Sequence, residues 1–451
     1  MKPSSTPQAP HGHPSANRPH TDGQPTGNSQ ATDRQHTGNR QATDRQPTGN
    51  RQANSACGRP QLILCPGKEK AISRRHPWVF SGAVKRCVGH PQEGDLVDVV
   101  APDGSWLAVG HYQEDSIICK VLSFDSPQVD EAFWRARLAW AIQYRERLGF
   151  FSNPMTNVFR LVNGEGDYLP GLIADYYNGV VVLQAHSWGM HREFPTFVRL
   201  LQELLGERLI SIFDKSEATL LGRAGLPACP PQYLWGAEPE ENEIREQGNR
   251  LLINFFEGQK TGFFVDQREN RQLVASLSQG KRVLNTFGYT GGFSLGALRG
   301  GASYVETVDI SKKAIALCER NVAMNFPEAP HRGVVADVLQ YMETVNNQFD
   351  IIILDPPAFA KNHRSLQQGL KGYRSINQKA MEKIRPGGLL FTFSCSQAVS
   401  QQDFLTMAFT SAALAKRKVR IVRELPHAMD HPVSIYHPEG KYLKGLLLYI
   451  E

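Results

Sequence analysis

Residues 351–357 read Ile-Ile-Ile-Leu-Asp-Pro-Pro, four consecutive aliphatic side chains closed by an acid and two prolines. A strand with one wet face alternates, whereas a strand covered on both faces is apolar throughout, and the latter belongs to parallel sheets with helices on either side. Parallel neighbours need long crossovers, so such a run requires strands and helices to alternate around it. From about residue 259 they do: candidate strands fall at 282–285, 303–309, 333–335, 349–355 and 389–394, with helical segments such as 312–324 between them. The implied class is α/β, with a doubly wound, Rossmann-like domain over 256–451.

In such a sheet ligands bind beyond the carboxyl ends of the strands. After the strand at 282–285 comes a turn with glycines at Gly288, Gly291 and Gly292. The next strand closes on Asp309, 21 residues beyond Gly288, where a ribose hydroxyl would be bound. The glycines do not follow G-x-G-x-x-G, so the pyrophosphate cradle for NAD or FAD is missing. S-adenosylmethionine has a ribose and an adenine but no phosphate, and fits better. Alone, the turn reads equally well as an ordinary strand-to-helix connection. Two further acids close strands in the same manner. Asp337 could meet the adenine amine, and Asp355, stiffened by Pro356 and Pro357, could present a fixed edge to a substrate.

Cys395 follows the last strong strand, between Ser394 and Ser396. A cysteine is more often simply buried, but one at a ligand-facing strand end is a candidate nucleophile. Carbon 5 of a pyrimidine is a poor nucleophile until a thiolate adds to carbon 6. A free thiol ionises near about pH 8.5, so local positive charge or a base is expected beside Cys395, with Lys260 and His431 as candidates. A target base must be single-stranded or flipped out. Lys260, Arg268, Lys361, Arg364, Lys371, Arg374, Lys441 and Lys444 are candidate contacts to its backbone, although each taken singly reads as a solvated surface charge.

Ahead of this domain the character differs. Residues 1–60 hold seven basic and three acidic residues, so most of the net charge of +6 lies there. Up to residue 58 they contain no Val, Ile, Leu, Phe, Tyr or Trp, and a segment of period eleven begins at Thr26, Thr37 and Thr48. Such a tail has nothing to bury and is expected to be disordered. Residues 61–125 read as short strands, a small β-barrel domain with the basic cluster Arg74-Arg75-His76. Residues 126–255 read as a central α/β domain. Its helix at 130–148 is expected to bury Phe133, Leu138, Ala141 and Ile142. The seven cysteines show no C-x-x-C spacing, which suggests no metal site and fits a reducing cytoplasm; the six other than Cys395 read as structural. No stretch is apolar enough for a membrane span.

Several motifs together carry a family resemblance. They are Pro77-Trp78-Val79-Phe80, residues 167–172, 258–268, 285–293 and 354–359, Lys371-Gly372-Tyr373, and residues 393–396 and 431–445. In this order, over nearly 390 residues, the chain resembles the bacterial PUA-domain-containing ribosomal RNA cytosine-5 methyltransferases that act on large-subunit RNA. The resemblance implies a PUA domain at 61–125, a central α/β domain and a class I methyltransferase domain. It implies S-adenosylmethionine as cofactor and large-subunit ribosomal RNA as partner, with homodimerisation left open. The family's nucleophile falls on Cys395, with Asp355 also catalytic. The cofactor set comprises Asn285, Phe287, Gly288, Tyr289 and Gly291 from the turn, then Asp309, Ile310, Asp337, Asp355 and Gln267. Where two-cysteine cytosine methyltransferases carry a second cysteine, this chain has Ala358, so the group that releases the product is unassigned. Two alternatives stay open. Asp355-Pro356-Pro357 is similar to the segment of exocyclic-amine methyltransferases, and a non-catalytic RNA-binding assembly factor could keep the same fold.

Overall fold

The computed structural model describes residues 58–220, 227–239 and 242–451; the repeat-bearing tail lies outside the described residues apart from its last few positions. The first sheet has six strands in the order Trp78–Phe80, Ile117–Ser123, Trp106–Tyr112, Leu96–Val100, Gln61–Leu64, Val84–Val88. Its alternating side chains, Leu62, Leu64, Val97, Val99 and Val121 among them, close a small core of their own. The basic cluster lies just ahead of strand Trp78–Phe80, and one of its members is already engaged. Arg75 is paired with Asp125 through two bonds of 2.6 and 3.0 Å.

Helix Glu131–Arg147 starts where Asp130 accepts the Phe133 amide at 2.9 Å, a cap contributing about 1 kcal/mol. It buries Trp134, Leu138, Ala141, Ile142 and Arg145. Trp134, not Phe133, is the inward ring, packed edge-on to Phe197 at 5.3 Å. Phe133, half-buried, is covered by the Arg137 guanidinium. The helix turns about 100° per residue, so a one-residue shift decides which of two adjacent rings is buried. Behind it lies a five-stranded sheet, ordered Gln232–Gly236, Ser211–Asp214, Val180–Ala185, Leu172–Tyr177, Val158–Asn163. Leu161, Leu172 and Val181 on this sheet pack toward the helices, while Val158, Tyr177, Val180 and Phe213 join Phe255, Val265, Val274 and Leu447 in another core. Apolar packing therefore runs across residue 255 without a break.

The third sheet has seven strands, ordered His331–Val335, Tyr304–Asp309, Arg282–Thr286, Ile351–Leu354, Gly388–Ser394, Lys444–Ile450, Val419–Glu424. The first five run parallel, and the last two are antiparallel additions. Ile351 and Ile353 fall in one core and Ile352 and Leu354 in the core on the other face. The unbroken apolar run is thus a strand covered on both sides, each side chain contributing about 1.5–3 kcal/mol. The α/β class is as expected, with the β domain ahead of it. Chain order reverses between Arg282–Thr286 and Ile351–Leu354, and their carboxyl ends mark the switch point. No helix among the described residues is long and apolar enough to cross a membrane.

Candidate active site

The turn from strand Arg282–Thr286 into helix Gly292–Arg299 is shaped by what it presses against. Phe287, Tyr289 and Gly291 have φ of 55°, 45° and 85°, so the chain enters the left-handed region three times in five residues. A β-carbon on Gly288 would lie 2.2 Å from Thr307 Cγ2, and one on Gly291 would lie 2.4 Å from Cys318 Sγ. Closely seated on strand Tyr304–Asp309, the turn delivers the Tyr289 amide to Asp309 Oδ2 at 3.0 Å, while the Ser311 amide reaches Oδ1 at 2.8 Å. An ionised carboxylate has about four acceptor sites, so Asp309 keeps capacity for a ligand. Its neighbour Ile310 is 72% exposed, an uncovered aliphatic face beside a fixed carboxylate. Beneath the turn Asn285 donates to Ser294 Oγ at 2.9 Å, and its buried Oδ1 has no partner among the described residues. Asp337 caps helix Val338–Thr344 through the Gln340 amide at 3.0 Å. A carboxylate with acceptor sites to spare, an apolar ledge and tight glycines suit an adenosine-bearing cofactor without phosphate.

Asp355 leaves the next strand. Gln267 Nε2 donates to its Oδ2 at 3.2 Å, and Asn270 Nδ2 donates to Gln267 Oε1 at 2.7 Å, which orients the amide. Burial, and then the Asp266 carboxylate, push the Asp355 carboxyl up to about 7, against the Gln267 bond and Arg271. Asp266 moves the opposite way. Burial pushes it up, but His431, the Tyr442 hydroxyl donating to Oδ2 at 2.6 Å, Arg160 and Arg271 outweigh this and hold it below the ordinary range. Two adjoining carboxyl groups are thus driven apart, one ionised and one able to keep its proton near neutrality.

Cys395 follows strand Gly388–Ser394, whose register sets Thr392 against Leu354. Cys395 and Asp355 therefore emerge from neighbouring parallel strands at the same edge. Tyr373 braces the two exits: its hydroxyl lies 2.8 Å from Ser396 Oγ and accepts the Phe359 amide at 3.3 Å, while the Ala360 amide reaches Ser396 Oγ at 3.3 Å. Lys444, opposite Ser394 on the antiparallel strand, donates from Nζ to the carbonyls of Ser396 and Tyr442, both at 2.6 Å. The positive charge anticipated near Cys395 acts on it from Lys260, but it is outweighed. Burial and the Asp355 charge push the thiol up to about 11, with Lys260 pulling down and Asp266 pushing up. His431 is bound through Nδ1 to Asp430 at 2.9 Å.

Two of the expected RNA contacts are corrected in the same way. Lys444 and Arg268 are buried, because strand register turns Lys444 inward and Arg268 pairs with Asp430 at 2.7 Å. Lys260, Lys361, Arg364, Lys371, Arg374 and Lys441 are exposed. The structure brings Gln267, Asp355 and Cys395 to one edge and Asn285, Gly288, Tyr289 and Asp309 to the adjoining turn. Sequence reasoning gave no role to Asp266, Tyr442, Tyr373 and Ser396, and read Lys444 only as an RNA contact. All five lie inside the motifs named above, but the partner that gives Asp266 meaning is 176 residues away. Of the remaining cysteines, Cys119, Cys229 and Cys318 are buried and Cys87 is exposed; Cys57 lies outside the described residues.

Comparison with known proteins agrees with this geometry. A family described as S-adenosylmethionine-dependent methyltransferase matches residues 159–433, and a PUA-like domain matches residues 62–124. The ribosomal RNA large subunit methyltransferase I of Erwinia tasmaniensis is 37% identical over 391 residues, covering 85% of this chain and 98% of the relative. The protein of the same name from Escherichia coli K12 matches with the same identity and coverage. Among solved structures, a methyltransferase complexed with SAH superimposes with a TM-score of 0.76 at 22% identity, covering 86% of this chain and 99% of that one. A SAM-dependent methyltransferase from Streptococcus mutans gives 0.75 at 21% identity, over the same shares. With the glycine turn, Asp309 and the seven-stranded sheet in place, the chain belongs to the S-adenosylmethionine-dependent methyltransferase family, and S-adenosylmethionine is its cofactor.

Proposed function

We propose that the protein methylates carbon 5 of a cytosine in large-subunit ribosomal RNA through a covalent adduct on Cys395. Its long relatives bear the name of ribosomal RNA large subunit methyltransferases, which supports the substrate class. The observation that carries the chemistry is Cys395 emerging beside Asp355 from the neighbouring strand, both exits braced by Tyr373 and Ser396. Bound S-adenosylmethionine supplies an electrophilic methyl group, held by Asp309 and the turn around Gly288. Cys395 adds its sulfur to carbon 6, which makes carbon 5 nucleophilic. Electron density pushed into the ring accumulates toward nitrogen 3, and a protonated Asp355 is suited to donate there. Protonating Asp355 also removes a negative charge that opposes the Cys395 thiolate. The PUA-like domain at 62–124 supplies RNA affinity in this reading.

The test is covalent trapping on a large-subunit RNA transcript containing 5-fluorocytidine. Wild-type protein with S-adenosylmethionine forms a denaturation-resistant adduct, and Cys395→Ala forms none while still binding the cofactor. Methyl transfer by Cys395→Ala near the wild-type rate would rule out covalent catalysis and favour an exocyclic amine as the acceptor.

A further inference from the structure

A cytosine-5 mechanism ends with the loss of the carbon 5 proton, and Ala358 offers nothing to accept it. The polar groups gathered at this edge differ in what they can do. Asp355 serves nitrogen 3 in this reading, giving its proton there and taking it back, so it is engaged when the carbon 5 proton leaves. Lys444, with two protons directed to carbonyl oxygens and burial pulling it down only to about 8, is mostly an ammonium donor. His431 is held through Nδ1 by the Asp430 carboxylate at 2.9 Å. Asp266 is a different case. It precedes Gln267, the residue bonded to Asp355, and Tyr442 clamps its Oδ2 at 2.6 Å. Lys444 then ties the Tyr442 carbonyl to the Ser396 carbonyl, one peptide beyond Cys395. The second carboxylate oxygen of Asp266, Oδ1, is shut off from bulk water and accepts no hydrogen bond among the described residues. An ionised carboxylate with one oxygen fixed and the other empty, whose charge acts on the Cys395 sulfur, is a base awaiting a proton.

We infer that Asp266 removes the carbon 5 proton and so releases the methylated base; this rests on the cytosine-5 reading. In the methylated adduct carbon 6 carries the Cys395 sulfur, and carbon 5 carries the new methyl group and its original hydrogen. The C5–H bond breaks, and its proton forms an O–H bond with Asp266. Its electron pair becomes the C5–C6 double bond. The C6–S bond breaks with its pair remaining on sulfur, which returns Cys395 as a thiolate, and the proton lent to nitrogen 3 goes back to Asp355.

Asp266→Asn tests this because it can still accept the Tyr442 hydrogen bond but cannot take a proton. On ordinary cytidine RNA with methyl-labelled S-adenosylmethionine, the variant accumulates a labelled protein–RNA adduct that wild type does not. Its multiple turnover falls by about 10²-fold or more. Tyr442→Phe, which keeps the carboxylate, shows the same adduct at lower occupancy. Wild-type turnover by Asp266→Asn overturns the proposal. So does a variant that binds S-adenosylmethionine normally yet forms no adduct even on 5-fluorocytidine RNA. If Asp266→Asn fails to bind the cofactor, Tyr442→Phe decides, and wild-type turnover without adduct there overturns it. Failure of the wild-type protein itself to trap 5-fluorocytidine RNA removes the cytosine-5 reading and this proposal with it.

Discussion

Asp309 takes two backbone amides and still has acceptor sites, so losing it is felt by the cofactor before the fold. Asp309→Ala is expected to weaken S-adenosylmethionine binding by about 1.5–3 kcal/mol. Calorimetry checks this, and unchanged affinity in the folded variant removes the assignment. Asp355 makes a prediction about pH. Its folded-state value, about 7, lies above the unfolded one near about 4, so the native state binds its proton more tightly. Stability from this group is complete below the unfolded value and is lost as pH rises toward 7. Asp355→Asn has no such loss. Its melting temperature relative to wild type should therefore climb between about pH 4 and 7 and level off above. A difference that stays flat, or falls, over that interval contradicts the raised value.

At the level of elements, the glycine turn and the strand exits are what a ligand meets. Gly288→Ala places a methyl group against Thr307, so the turn must lift from strand Tyr304–Asp309 and take the Tyr289 amide with it. A cost of about 1–3 kcal/mol follows, concentrated in cofactor affinity because the rest of the sheet is untouched. Cofactor titration beside urea denaturation separates the two, and a variant that binds like wild type shows that the turn has room. The same scale shows how far periodicity reaches. The run Ile351–Leu354 announces a strand covered on both faces, and helix Phe194–Leu205 follows its amphipathic pattern. Strand Lys444–Ile450 carries the equally apolar run Leu446-Leu447-Leu448, yet it is antiparallel. Strand direction depends on the partner beside it, which local pattern does not contain.

For the whole molecule, distant motifs converge. Trp78 donates to Glu165 at 2.8 Å and packs edge-on to His437 at 4.3 Å between ring centroids, so pieces of two motif regions meet at one junction with the central domain. Nearby, Asp430 accepts from Arg268 at 2.7 Å and from the Arg160 amide at 2.7 Å, and its carbonyl accepts from Arg145 at 2.6 Å. Burial opposes its charge, but Arg268 and His431 hold the Asp430 carboxyl well below the usual range. Asp430→Asn leaves buried guanidinium charge uncompensated and should cost about 3–5 kcal/mol in urea denaturation. Because the native value is depressed, this contribution is present at neutral pH and fades on acidification, so the gap to wild type should narrow at low pH. The tail before residue 58 lies outside the described residues, and its composition alone supports a prediction. Its removal should leave methyl transfer to RNA nearly intact at physiological salt, where scattered exposed charges are screened. Loss of most activity in the shortened chain would assign the tail a role in RNA binding.

The sequence by itself determined the parallel sheet, the glycine turn with its acid at Asp309, and the strand-end positions of Asp355 and Cys395. These follow from local pattern: apolar periodicity, turn chemistry, and the rule that ligands sit beyond strand carboxyl ends. Only the tertiary structure decided that Trp134 rather than Phe133 faces the core, and that Lys444 and Arg268 are buried. It alone decided that Asp266 and Asp355 adjoin with opposite proton affinities. Burial and electrostatic environment are sums over neighbours from every part of the chain, and for Asp266 those neighbours include Arg160, Arg271, His431 and Tyr442. No window of sequence contains them together, so side-chain identity could name the chemistry available while the fold assigned each group its protonation and its task.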